Sequence, residues 1–162
     1  MQLVSIISTK GGVGKTTTSA NLGGFIADAG LRVLLLDLDV QPTLSSYFML
    51  SVRAPGGIYE MLAFNERRIE QLVSRTAIVG LDLVLSNDDR GELSTLLLHA
   101  PDGRLRLRHL LPTFRTNYDL LLIDTPGARS VLLEMAVLAS DLALSPVTPD
   151  ILAARALRRG PL

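Results

Sequence analysis

Apolar residues recur along this chain in two rhythms. Three stretches are almost uninterrupted: Leu3-Val4-Ser5-Ile6-Ile7, Val33-Leu34-Leu35-Leu36 and Leu120-Leu121-Leu122-Ile123. A strand with one solvated face alternates apolar and polar residues, so runs of this kind predict parallel strands covered on both faces. Elsewhere the period is helical. Leu22, Phe25, Ile26 and Ala29 fall at i, i+3, i+4 and i+7, which predicts an amphipathic helix over residues 16 to 29 that Gly30 stops. Gly23 and Gly24 in its middle each cost about 1 kcal/mol relative to alanine, so close packing against the sheet is expected there.

The remaining elements follow from the same two rhythms. Residues 43 to 75 read as short helices, with Ile58, Met61 and Leu62 on one face and Ile69, Leu72 and Val73 on another. Residues 78 to 85 read as a strand interrupted by Gly80, and Leu93, Leu96 and Leu97 as a helix ending near Pro101 and Gly103. The stretch from 104 to 111 is ambiguous: Arg104 to Arg108 alternates like a strand, whereas Leu107, Leu110, Leu111 and Phe114 keep helical spacing. The helical reading is taken, with a stop or kink at Pro112. Arg104 and Arg108 then share a stripe that reads as a solvated face. A helix from Val131 or Leu132 to Ala139 follows, then a last strand over 141 to 147 and the start of a helix over 151 to 159. Alternating strands and helices define an α/β fold, a doubly wound, mostly parallel sheet with helices on both faces. At 162 residues and 48% hydrophobic content, residues 1 to 162 are expected to form a single domain with its own core.

Chemistry concentrates behind the first strand, in Ser8-Thr9-Lys10-Gly11-Gly12-Val13-Gly14-Lys15-Thr16-Thr17. Three glycines let the backbone turn tightly and bring N–H groups close to an anion, and a helix then starts near Thr16. Lys15 supplies a point charge for β- and γ-phosphates, and the Thr16 hydroxyl a ligand for the Mg²⁺ that accompanies them. Thr9 stands where a strict P-loop has its first glycine, and Lys10 adds a second cation, so this is a deviant P-loop. Composition sharpens the point. Of 16 basic residues only Lys10 and Lys15 are lysine. Arginine's planar fork does not replace a compact ammonium in a phosphate cavity.

Two further runs end in acids. Asp37-Leu38-Asp39 closes the second buried strand, and Asp124-Thr125-Pro126-Gly127 closes a strand that reads as a Walker B segment. The carboxyl ends of strands are where open α/β sheets bind ligands. Lys15, Thr16, Asp37, Asp39 and Asp124 therefore converge on one triphosphate and one metal, a set suited to phosphoryl transfer to water. His99 and His109 read as surface or helix residues, and Arg129 as a solvated arginine.

Formal net charge is zero, so the chain as a whole offers no strong field for nucleic acid or anionic lipid. Zero cysteines exclude disulfides, thiolate metal sites and iron-sulfur clusters. No basic leader and no apolar run of membrane-spanning length is present, so a cytoplasmic location is expected.

The segment from Lys10 to Thr17 resembles the signature of the ParA/MinD group of partition ATPases. That resemblance implies an ATP- and Mg²⁺-dependent ATPase acting as a nucleotide-dependent homodimer. It further implies a centromere-binding adaptor protein, nonspecific DNA as partner of the complete protein, and a role in plasmid or chromosome segregation. It places Lys10 across the dimer interface on the partner subunit's nucleotide. Residues Lys10, Gly11, Gly12, Val13, Gly14, Lys15, Thr16 and Thr17 then bind the nucleotide, with Lys10 and Lys15 on the phosphates and Thr17 on the α-phosphate. Thr16, Asp37 and Asp124 serve the metal, and Asp39 positions the attacking water. Residues 39 to 45 and 124 to 129 resemble the family's two switch segments, although Val40-Gln41-Pro42 stands where the family has proline directly after the second aspartate. Family members run on for further strands and helices that carry adenine contacts and basic residues. The resemblance thus implies a chain truncated at its C-terminal edge. A MinD-like regulator at a membrane surface needs a C-terminal amphipathic helix, which is not visible here. A nucleotide-binding fragment without turnover is the other alternative. Guanine-reading GTPases need a further lysine, and a ligase of dethiobiotin-synthase type matches the loop and switch segments less well.

Overall fold

The computed structural model describes residues 1–149; the helix expected over 151 to 159 lies outside them. Seven strands form one sheet, β1 (Gln2–Ile6), β2 (Val33–Asp37), β3 (Leu50–Val52), β4 (Val73–Thr76), β5 (Leu81–Val84), β6 (Leu120–Asp124) and β7 (Leu142–Leu144), in the order β3-β4-β5-β2-β6-β1-β7. The five strands from β5 to β7 run parallel, whereas β4 pairs antiparallel with β5 and β3 antiparallel with β4.

Every residue of β2 and β6 is buried, which is why their sequences do not alternate. Their side chains divide between two cores. Leu34, Leu36, Leu121 and Ile123 pack with α3 (Ile58–Ala63), α5 (Glu92–His99), α6 (Arg106–Leu110) and α7 (Val131–Ala139). Val33, Leu35, Leu120 and Leu122 pack on the opposite face with α1 (Lys15–Asp28) and, through Leu44, with α2 (Thr43–Tyr47). Helices thus cover both faces, as expected.

Several local expectations need correction. Residues 43 to 75 are not all helical: the antiparallel strand β3 lies between α2 and α3, and β4 begins at Val73, directly after α4 (Ile69–Leu72). The strand expected over 78 to 85 is confined to Leu81–Val84, because Gly80 turns at φ 82° just before it. Of the two mid-helix glycines only Gly23 is pressed on the sheet, where an added Cβ would lie 2.9 Å from Leu35 Cδ2; Gly24 has open space. The helical reading of 104 to 111 is correct, with α6 continuing into a 3-10 turn that carries Pro112.

The sheet order puts the phosphate-loop strand β1 beside β6, and β6 beside β2. The ends of all three strands therefore open on the same side of the molecule. Among the described residues no helix is long and apolar enough to cross a membrane.

Candidate functional site

The loop leaves β1 through Ser8, whose hydroxyl accepts the Lys10 N–H at 3.1 Å and starts the turn. Gly12 and Gly14 sit at φ 71° and 87°, a left-handed region in which a side chain is strained. Gly14 is also the N-cap of α1, so the glycine that closes the loop opens the helix. Among the described residues no side chain caps α1 and its first turn holds no acid. Its unpaired N–H groups and the positive end of its dipole are therefore presented to an anion. A Cβ added at Gly11, Gly12 or Gly14 would meet nothing within 4 Å, so the loop is open on the side these atoms would face.

Lys15 is 7% exposed, and its Nζ lies 3.4 Å from where a Cβ on Gly127 would stand. The same imagined atom would be 3.4 Å from Gly11 Cα, so the Pro126-Gly127 turn rests directly on the phosphate loop. Thr125 fixes that turn by donating its hydroxyl to the Ile6 carbonyl at 2.6 Å.

Asp37 and Asp124 are neighbours in the β2–β6 register, and both are fully buried. The Thr16 hydroxyl donates to Asp124 Oδ2 at 2.8 Å, and Ser19 Oγ lies 2.9 Å from Asp124 Oδ1. Asp37 Oδ2 accepts both the N–H and the hydroxyl of Ser45, at 2.8 and 2.7 Å. The Asp39 N–H donates to Asp37 Oδ1 at 3.2 Å, and Asp39 Oδ1 accepts the Gln41 N–H at 3.1 Å.

Burial pushes the Asp37 carboxyl up to about 7, against the hydrogen bonds from Ser45 that pull it down, while the nearby Asp124 charge pushes the same way as burial. Burial likewise raises Asp124, opposed by hydrogen bonds from Thr16 and Ser19 and by the Lys15 charge, and reinforced by Asp39. Carboxylates held this way are under-neutralised and favour a cation nearby. Among the described residues no three His, Asp or Glu side chains form a metal cage by themselves. Mg²⁺ keeps waters and phosphate oxygens among its ligands and takes few from protein, so the Thr16 hydroxyl and the two buried carboxylates fit it.

The structure therefore brings Lys15, Thr16, Asp37, Asp39 and Asp124 to one place, as read from the sequence. Lys10, Gly11 and Gly12 line the exposed side of the loop, and Val13 is half-buried. Thr17 is exposed, with its hydroxyl 3.2 Å from the Tyr47 hydroxyl on α2. Arg129, His99 and His109 are exposed, and Arg104 is paired with Glu134 at 2.6 Å.

A family model described as an AAA domain matches residues 1–159. The chain is 34% identical over 147 residues to the chromosome partitioning protein ParA of Myxococcus xanthus, covering 90% of this chain and 52% of that one. The chain belongs to the ParA/MinD-type family of P-loop ATPases. It is also 39% identical over 138 residues to the "Putative tyrosine-protein kinase EpsB" of Ralstonia solanacearum, covering 85% of this chain but 17% of EpsB. The cobyrinic acid a,c-diamide synthase of Mycobacterium smegmatis, solved with an ATP analogue and magnesium, superposes with a TM-score of 0.88 at 28% identity, over 98% of this chain and 65% of that one. The chain thus spans from under a fifth to about half the length of these two curated relatives.

In this ParA/MinD-type site the sequence points to the Thr16 hydroxyl but not to those of Ser19, Ser45, Ser86 and Tyr47. Ser19 had a usable signal, because it stands one helical turn beyond Lys15 on the same face of α1. Ser45, Ser86 and Tyr47 had none, since their places depend on how α2 folds back and on which strand lies beside β2.

Proposed function

We propose that this chain binds Mg·ATP at the carboxyl ends of β1, β2 and β6, and that the protein hydrolyses it as a nucleotide-dependent dimer in plasmid or chromosome segregation. The observation that carries the reading is the Thr16–Asp124 hydrogen bond beside buried Lys15, at the start of a helix that no described side chain caps. Donors for a polyphosphate and acceptors for its cation are then within one site, so the group fits the residues present.

Each residue has a task. Lys15 and the first N–H groups of α1 hold the phosphates, and Thr17 the α-phosphate. Thr16 offers its hydroxyl as the direct ligand to the cation, while Asp37 and Asp124 accept hydrogen bonds from its water shell. Asp39, only partly buried, orients the attacking water and takes up its proton. Lys10 reaches the nucleotide of the partner subunit. Bound magnesium supplies neutralisation of the charge that builds on the transferred phosphoryl oxygens. The adaptor protein and nonspecific DNA are partners of the whole protein in this reading, which works in the cytoplasm and off the membrane.

Phosphate release in the presence of Mg²⁺ tests it. Lys15→Ala should fall to background and Asp39→Ala should lose roughly 100-fold, the scale of a lost general base. Release by Lys15→Ala at the wild-type rate would overturn the reading.

A second reading is favoured by the 39% identity to EpsB: the acceptor is a tyrosine hydroxyl instead of water. Tyr47, half exposed and beside Thr17, is the accessible tyrosine nearest the loop. Phosphotyrosine found by mass spectrometry after incubation with Mg·ATP would select this reading, and its absence alongside free phosphate would select hydrolysis.

A further inference from the structure

The carboxyl end of β5 belongs to none of the recognised motifs, yet it is tied into the first switch segment. Ser86, two residues beyond the end of β5, donates its hydroxyl to the Asp39 carbonyl at 2.5 Å. Its backbone N–H donates to Ser45 Oγ at 3.0 Å. Ser45 passes its own N–H and hydroxyl to Asp37 Oδ2, and Asp37 Oδ1 accepts the Asp39 N–H. The hydrogen bonds close into a ring, Asp37 to Ser45 to Ser86 to Asp39 and back to Asp37.

The ring matters because the bonds from the Gln41 N–H to Asp39 Oδ1 and from the Thr43 N–H to the Gln41 carbonyl stay within the segment it encloses, whereas the ring ties that segment to β2 and β5. Val40, Gln41 and Pro42, just before α2, are exposed and pair with no strand among the described residues. Loop backbone of this kind keeps its conformational freedom unless specific bonds remove it. Ser86, by contrast, is anchored. β5 pairs with β2 and β4, the Leu85 carbonyl accepts the Ile58 N–H at 2.9 Å, and Asn87 Oδ1 accepts the Tyr59 N–H at 2.8 Å. The Asp39 N–H is held by Asp37 at the end of β2, and the rigidity of β5 and of α3 reaches the Asp39 carbonyl through the Ser86 hydroxyl.

We propose that Ser86 is a positioning residue for Asp39, fixing the backbone from which its carboxylate addresses the attacking water; the inference rests on the role given to Asp39 above. Ser86→Ala is a clean probe. It deletes the bond to the Asp39 carbonyl and leaves the backbone bond to Ser45 in place. Ser86→Thr keeps the hydroxyl.

The experiment combines hydrogen exchange of the nucleotide-free chain with phosphate release and Mg·ATP affinity. Exchange at the amides of Asp39, Gln41 and Ser45 should quicken on the order of tenfold in Ser86→Ala, with the β6 amides unchanged. Turnover should fall on the order of tenfold, with affinity kept within about twofold, as expected for a misaimed catalytic group. Ser86→Thr should restore both. Wild-type exchange at 39 to 45 in Ser86→Ala, faster exchange throughout the sheet, or undiminished turnover would overturn the proposal. If the wild-type chain releases no phosphate, hydrolysis is the reading that fails, and the exchange measurement still decides whether Ser86 holds the segment.

Discussion

Asp37 has no access to solvent, and burial holds its carboxyl at about 7 where an unfolded chain would have 3.8. The folded state then binds a proton more tightly than the unfolded state between those values. This group's contribution to stability is fully present below pH 4 or so and is lost as pH rises through about 7. The loss is on the order of 4 kcal/mol at most. Asp37→Asn should therefore melt several degrees higher than wild type at pH 8 without nucleotide, with the gain shrinking towards pH 4. Thermal melts across that range check it, and a variant no more stable at pH 8 would contradict it. The site thus carries a destabilising pair of acids that a bound cation relieves, a conflict between local and global preference of the kind that marks functional positions. Lys15, Thr16, Asp37 and Asp124 were legible because each follows a run whose burial is itself written in the sequence. Ser45 and Ser86 were not. A serine in a loop has no periodicity, and both act through partners supplied by other elements.

At the scale of elements, the long parallel strands could be read directly, and the short antiparallel ones could not. β3 and β4 have three and four residues, too few for alternation to show, and the β3–β4 register is broken between Leu50 and Val52. Ile69, Leu72 and Val73 look like one helical face, yet the helix ends at Leu72 and Val73 begins β4. Gly103 illustrates what the pattern conceals. The sequence pattern marks it only as the end of a helix, but a Cβ there would stand 1.8 Å from the Leu97 carbonyl oxygen, so only glycine lets the turn before α6 press against α5. Gly103→Ala should cost about 3 kcal/mol, as backbone must move to admit the methyl. Gly23→Ala should cost less: its nearest neighbour is the far end of the Leu35 side chain, which yields more readily than backbone, and alanine regains about 1 kcal/mol of helix propensity. Urea midpoints of the two variants check the order, and equal losses would contradict it.

Over the whole molecule, one sheet order does most of the functional assembly. Setting β1, β6, β2 and β5 side by side delivers the phosphate loop, the two buried aspartates and the Ser86 anchor to a single rim. The exposed face of the loop carries Lys10, the residue proposed to cross to a partner subunit. Sedimentation with a non-hydrolysed ATP analogue should show a concentration-dependent dimer for wild type that Lys10→Ala fails to form; identical profiles would remove Lys10 from that role. The measurement that bears most directly on the account is calorimetric titration of Mg·ATP into the wild-type chain and Lys15→Ala. Wild type should bind one equivalent, and the variant should bind about 10- to 100-fold more weakly, the loss of a charge-assisted hydrogen bond. Equal affinities for the two proteins, or no binding by wild type, would contradict a site built around that lysine and the acids facing it.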